Sequence, residues 1–197
     1  MVFVGFDPGG ARAFGWAILR TAESGTQLLA TGTCSCARQA LDAVRAAAVQ
    51  QPRALAVDAP LFWSESGDRK ADQYVRRMVC SAGGSSGTVS HVNSLRGACL
   101  VQGVFITRMA SLVWPHAEIS EAHPKALAVV SSQAAEFLRA FVNRVASEHE
   151  SDAILAAYSA LNYANRVEEW RDLVALEESI FFPAGKSVAY YFPRAQT

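Results

Sequence analysis

No apolar run in the 197-residue chain reaches the ~18–20 residues needed to span a bilayer, so no membrane association is expected. There is no excess of charge either. Eighteen basic and eighteen acidic side chains give a formal net charge of zero, which excludes a domain that holds nucleic acid by bulk positive charge alone. Charged residues make up only 18% of the chain against 51% apolar, which excludes an acidic disordered chain and allows a core of ordinary density. Cysteine is sparse. Cys34, Cys36, Cys80 and Cys99 match no zinc-site spacing, and the Cys-x-Cys pair has no second pair or histidine cluster beside it. They read as free buried thiols in a reducing compartment, so a cytoplasmic protein is expected. The Gly-rich stretch 83–87 lacks the Gly-Lys-Ser/Thr that would make it a phosphate loop and reads as a mobile flap. No basic residues precede the apolar Val2–Phe6, which reads as a buried first strand and not as a signal peptide.

The pattern that is present is mixed α/β. Val2 to Phe6 ends at Asp7 and the turn Pro8-Gly9-Gly10. Phe14–Leu19 and Gln27–Thr33 follow as strands joined by short connections, an antiparallel meander. Ala37–Gln50 has helical spacing and stops before Pro52. Ala54–Val57 is a fourth strand, ending at Asp58 and Ala59-Pro60, and Ala117–Glu121 a fifth. Between them, helices are expected at Arg69–Val79 and Ala98–Val113. Further helices are expected at Lys125–Val130, Ala134–Ser147 and Ser151–Tyr163, the last with Ser151 as its cap. Phe181–Lys186 and Val188–Phe192 suggest a C-terminal hairpin or arm. No repeat or linker is evident. One domain over residues 1–197 is expected, with a helical and loop insertion at about 61–115 and the arm at about 178–197.

Acidic residues close three of these strands, at Asp7, Asp58 and Glu121, and Asp152 opens a helix. One aspartate at a strand end usually caps a turn. Four at the ends of elements of one sheet would converge, and converging carboxylates repel one another unless a cation joins them. An all-oxygen donor set without a thiolate or histidine cluster selects Mg²⁺ or Mn²⁺. Two such ions ~3.5–4 Å apart can clamp the attacking and leaving oxygens of a phosphodiester.

Val4-Gly5-Phe6-Asp7-Pro8-Gly9-Gly10 with Gly15-Trp16-Ala17 resembles the first-strand motif of RuvC-type resolvases of the ribonuclease-H-like fold. Four later segments resemble a domain-of-unknown-function family of predicted ribonuclease-H-like nucleases. They are Asp58-Ala59-Pro60-Leu61; Arg69, Asp72 and Arg76 in Arg-x-x-Asp-x-x-x-Arg; Glu121 to Pro124 in Glu-x-His-Pro; and Asp152-Ala153 with Ala156, Ala157 and Ala160. The ordered set spans residues 4 to 160. The resemblance implies a mixed five-stranded sheet of order 3-2-1-4-5 flanked by helices. It also implies a two-metal nuclease site of Asp7, Asp58 and Asp152, with Glu121 joining them or orienting the arginine motif. Asp58 stands where resolvases often carry glutamate.

Other residues have two readings each. Arg69, Asp72, Arg76 and Arg77 form either a surface ion-pair ladder or a set of phosphate contacts. His149 is a solvated side chain between Glu148 and Glu150 or a proton shuttle. His123 is a turn residue or a substrate contact. His91, near Asn93, Ser94 and Arg96, reads as surface. Phe62-Trp63 either packs or stacks on bases at the rim of the site. Tyr190, Tyr191 and Phe192 can mediate a homodimer. From Gln73 to Ala117 there is no acid, and Arg76, Arg77, Arg96 and Arg108 give +4, whereas Glu118 to Glu178 carries eleven acids and five bases. The basic stretch suits an anionic substrate approaching from one side.

A metal-dependent nuclease acting on DNA or RNA is therefore the leading expectation. A catalytically idle ribonuclease-H-like binding domain and an actin-like nucleotide-binding protein are the alternatives. The last is suggested by Asp7-Pro8-Gly9-Gly10 but opposed by the chain length and the lack of a second Gly-rich segment.

Overall fold

The computed structural model describes residues 1–23, 25–48, 50–64, 68–90 and 97–195. Its strands are β1 (Val2–Asp7), β2 (Phe14–Ala22), β3 (Gly25–Cys34), β4 (Ala54–Val57), β5 (Trp63–Ser64), β6 (Glu118–Glu121), β7 (Trp170–Asp172), β8 (Ile180–Phe181) and β9 (Ala189–Pro193). Its helices are α1 (Ala37–Ala47), α2 (Lys70–Ser81), α3 (Gly97–Val113), α4 (Pro124–Val130), α5 (Ser132–Arg139) and α6 (Glu148–Ala164). The main sheet has seven strands, in the order β3-β2-β1-β4-β6-β9-β7. The expected run 3-2-1-4-5 is present as β3-β2-β1-β4-β6, and two strands extend it. Among the described residues no helix is long and apolar enough to cross a membrane.

β1 is central and buried along its whole length, which accounts for its unbroken apolar run. It pairs antiparallel with β2 and parallel with β4. Alternation along the strands separates two core faces. Val2, Val4, Phe6, Leu55, Val57 and Ile119 join α1 and α3 on one side. Phe3, Ala17, Leu19, Ala54 and Ala56 pack against Ala153, Ala156, Ala157 and Ala160 of α6 on the other. The small side chains of α6 let it lie close to the sheet. A Cβ at Gly5 would stand 1.9 Å from the Ala153 carbonyl oxygen, and one at Gly15 would stand 2.0 Å from that of His149. These two glycines are where the backbones of strand and helix meet.

Several expectations are corrected. The C-terminal segment is not an arm. β9 is inserted between β6 and β7, with Tyr190, Tyr191 and Phe192 buried, so they offer no dimer surface. β8 leaves the main sheet to pair with β5. α6 begins one turn earlier than expected. The Ser147 hydroxyl accepts the Glu150 N–H at 3.2 Å, and Ser151 lies inside the helix. Ala134–Ser147 is not one helix. α5 ends at Arg139, and Val142–Arg144 form a 3-10 turn. The Gly-rich stretch is folded, with Gly84 against Val79 and Val129 and a 3-10 turn at Ser86–Thr88. The cysteines are free, but Cys80 is exposed and the other three are half-buried.

Candidate functional site

Asp7 ends β1, Asp58 directly follows β4, and Asp152 lies one turn into α6. Asp58 continues the ladder, its N–H donating to the Phe6 carbonyl at 2.9 Å. Asp7 and Asp58 thus fall side by side on the α6 face. One carboxylate oxygen from each of Asp7, Asp58 and Asp152 lies within 4.8 Å of the others. Oxygens sharing one Mg²⁺ at 2.0–2.1 Å are at most about 4.2 Å apart, so small side-chain movements close the three around an ion. The donor set is oxygen only and fits a hard divalent cation.

Burial and mutual repulsion disfavour the charged forms of all three aspartates. Burial raises the Asp58 pKa to about 8, with Asp7 and Asp152 adding to it and His123 and Lys125 opposing. Asp152 is raised to about 6 by burial and then by Asp7. Burial also raises Asp7, against the pull of His149. Of the three, Asp58 is the one whose value lies above neutral pH.

Two basic groups attend the cluster. His149 Nδ1 lies 2.7 Å from Asp7 Oδ2, so this histidine is a partner of the site and not a solvated neighbour of Glu148 and Glu150. Lys125 Nζ stands 3.7 Å from Asp152 Oδ2 and 3.6 Å from Glu148 Oε2. Partial burial alone would lower its pKa, but Asp152, Glu148, Asp7 and Asp58 raise it. Lys125 belongs to none of the acidic or arginine motifs of the sequence. The available signal was a lysine, one of three in the chain, directly after Glu121-x-His123-Pro124.

Glu121 does not join the aspartates. Its register partner is Val57, so its side chain leaves the sheet on the face opposite Asp58. There it is 0% exposed and meets Arg69, itself 1% exposed. Arg69 donates from Nη2 to Glu121 Oε1 at 2.6 Å and Asp72 Oδ1 at 2.7 Å. Nη1 donates to Glu121 Oε2 at 2.9 Å and the Phe62 carbonyl at 3.1 Å, and Nε to Asp72 Oδ2 at 2.8 Å. All five guanidinium N–H groups are used. Arg69 and Asp72 are therefore neither a surface ladder nor substrate contacts. Glu121 also accepts the Leu61 N–H at 2.8 Å, and His123 Nε2 lies 2.9 Å from its Oε1. Burial would raise the Glu121 pKa, but Arg69 and His123 outweigh it, and the value falls to about 2. Burial would likewise lower His123, but Glu121 raises it. The bonds to Leu61 N–H and Phe62 C=O tie down the segment that begins at Asp58. The buried network thus positions one carboxylate of the aspartate cluster from across the sheet.

Other expected site residues lie apart. Arg76 bonds to Asp68 and, at 3.4 Å, to the Val89 carbonyl. Phe62 is buried beneath the Arg69 guanidinium, 4.4 Å from its carbon, and offers no stacking face. Trp63 is half-buried in the β5–β8 pair, opposite Phe181. His91, Asn93, Ser94 and Arg96 lie outside the described residues. Burial, followed by Asp58, Asp7 and Glu121, pushes the Cys99 thiol up to about 12, so it stays protonated beside the site. A cavity of about 600 Å³ lined by Tyr158, Asn162 and Trp170 lies at the far end of α6, about 15 Å along the axis from Asp152.

Residues 5–98 match a family described as "Protein of unknown function (DUF429)". The matched stretch holds Asp7, Asp58, Arg69 and Asp72 and stops before Glu121 and Asp152. No curated protein matches the chain.

Proposed function

We propose that the chain is a divalent-metal-dependent phosphodiesterase of ribonuclease-H-like type, acting on nucleic acid. The observation that carries this reading is the convergence of Asp7, Asp58 and Asp152 from three separate elements to within 4.8 Å. The run β3-β2-β1-β4-β6, with carboxylates at the ends of β1 and β4, supports it. Asp7, Asp58 and Asp152 would hold Mg²⁺ or Mn²⁺, which when bound lowers the pKa of water and neutralises charge on the leaving oxygen. The remaining work falls to side chains of the chain itself. Asp7 fixes His149 through Nδ1, leaving Nε2 to take or give a proton. Lys125 keeps a positive charge beside Asp152, toward an incoming phosphate. No side-chain nucleophile is required, in keeping with a Cys99 thiol that stays protonated.

The test is a scan of purified protein over single- and double-stranded DNA, RNA, hybrids and junctions with Mg²⁺ or Mn²⁺. Metal-dependent cleavage that disappears in Asp7→Asn and Asp58→Asn is expected. Absence of cleavage of every substrate with both metals contradicts the reading.

A further inference from the structure

α3 is apolar on two sides. Gly103, Ile106 and Ala110 face the core, while Val101 and Phe105 face outward at 50% and 56% exposure. A helix apolar all round is normally covered on both sides. Beside its outer face stands the β5–β8 pair, whose Phe181 is 67% exposed. Together Trp63, Val101, Val104, Phe105, Phe181 and Pro183 line an open groove of about 580 Å³ that is almost wholly apolar.

Two observations indicate what the groove takes. The first is placement: α3, whose outer face carries the groove, touches the segment that begins at Asp58 with its inner face. The Cys99 thiol, in the first turn of α3, donates to the Asp58 carbonyl at 3.6 Å. Gly103 packs so closely on Ala59 that a Cβ there would lie 2.5 Å from the Ala59 Cβ. Phe105 is about 9 Å along the helix from Cys99 and turned about 120° away from it, so roughly four stacked nucleotides at ~3.4 Å each span the separation. The second is charge. No acid occurs from Gln73 to Ala117. Arg108 sits at the end of the groove, its Nη1 3.5 Å from the Ala184 carbonyl, directly after Pro183. Aromatic faces with a cationic flank, and no carboxylate among the described residues that line the groove, suit bases on a polyanionic strand. A base-paired duplex keeps its base faces stacked inside and cannot offer them to this groove.

We propose that the groove holds the unpaired bases of a single-stranded segment adjoining the scissile phosphate, with Phe105, Phe181 and Trp63 as stacking surfaces. The inference rests on the phosphodiesterase reading and narrows its substrate to nucleic acid that is single-stranded next to the cut.

Binding is measured by fluorescence anisotropy on Asp58→Asn protein in chelator, with short labelled oligothymidylate and oligouridylate against matched duplexes. Cleavage therefore does not enter the readout. Tighter binding of the single strands is expected. Phe105→Ala and Phe181→Ala should each weaken it roughly 5- to 100-fold, with Phe105→Tyr restoring it and duplex binding moving less than twofold. Both aromatic side chains are exposed, so melting temperatures should stay at the parent value. Equal binding of single strand and duplex, indifferent to Phe105→Ala, overturns the groove assignment while leaving any metal-dependent cleavage intact. A dimer in sedimentation that Phe105→Asp converts to monomer also overturns it, because the groove is then covered by a second copy. Stacking-dependent binding without cleavage of any substrate upholds the groove and removes the chemistry assigned to the aspartates.

Discussion

Two groups of acids lie on opposite faces of the same strand ends, and they meet the problem of buried charge in opposite ways. Glu121 is matched on every side by Arg69, His123 and the Leu61 N–H, and its pKa falls to about 2. Its stabilising contribution is complete above the unfolded value of 4.5 and is lost as pH falls through about 2. Asp58 has no such match and rises to about 8. The folded protein therefore binds more protons than the unfolded chain between pH 3.8 and about 8, and its stability falls as pH rises through that window. Asp58→Asn removes this slope. In chelator at pH 8 it should raise the melting temperature by about 10 °C or more, given a pKa rise from 3.8 to about 8 at about 1.36 kcal/mol per pH unit, and about 2–4 °C per kcal/mol for a domain of this size. At pH 4 it should leave the melting temperature near the parent value. Calorimetry at the two pH values checks this, and a variant less stable at pH 8 would contradict it. Arg69→Met leaves buried Glu121 and Asp72 without their guanidinium partner and should cost about 3–5 kcal/mol. Adding Glu121→Gln should recover part of that loss, read by denaturant titration.

At the scale of elements, the site depends on how closely α6 lies on β1 and β2. Gly5→Ala and Gly15→Ala place a methyl group against backbone of α6 that cannot yield locally. Each should cost about 3 kcal/mol and weaken metal binding, because the helix carries both Asp152 and His149. Ser147→Ala removes only the cap and should cost about 1 kcal/mol with metal binding retained. Comparing metal affinity across these variants separates helix placement from helix stability. The sequence makes some of this legible. An apolar run that stops at an aspartate marks a strand end, and so Asp7 and Asp58 were readable, with Asp152 following from its motif. Glu121 reads the same way locally but is oriented by the register of β6 on β4, which pairs it with Val57, and no local pattern encodes that pairing. The start of α6 was readable in Ser147-Glu148-His149-Glu150, a serine with glutamate three residues on. Recognising it puts His149 in the first turn, on the helix that packs over Asp7.

At the scale of the whole molecule, neutrality in sum hides segregation. The aspartates gather on the α6 face, and Arg69 is spent inside the protein and not on a substrate. Sheet membership at the C-terminal end was the least legible feature. β9 pairs with β6 across some seventy residues (Ser120↔Ala189), and β7 is three residues long. Such long-range pairing leaves no short-range mark. Its consequence is that Tyr190–Phe192 belong to the core, so deleting residues from 188 onward should unfold the protein and not merely dissociate a dimer.

Divalent metal should stabilise the whole fold by mass action. A ligand at 100 times its dissociation constant contributes about 2.7 kcal/mol, or about 5–10 °C here. The effect should shrink as pH falls below about 8, where protons compete for Asp58. The most direct test is anomalous diffraction at the manganese edge from crystals grown with Mn²⁺. A peak within coordination distance of Asp7, Asp58 and Asp152, absent in Asp7→Asn crystals, is expected. No peak there at saturating Mn²⁺, with a melting temperature indifferent to metal at pH 8, would contradict it.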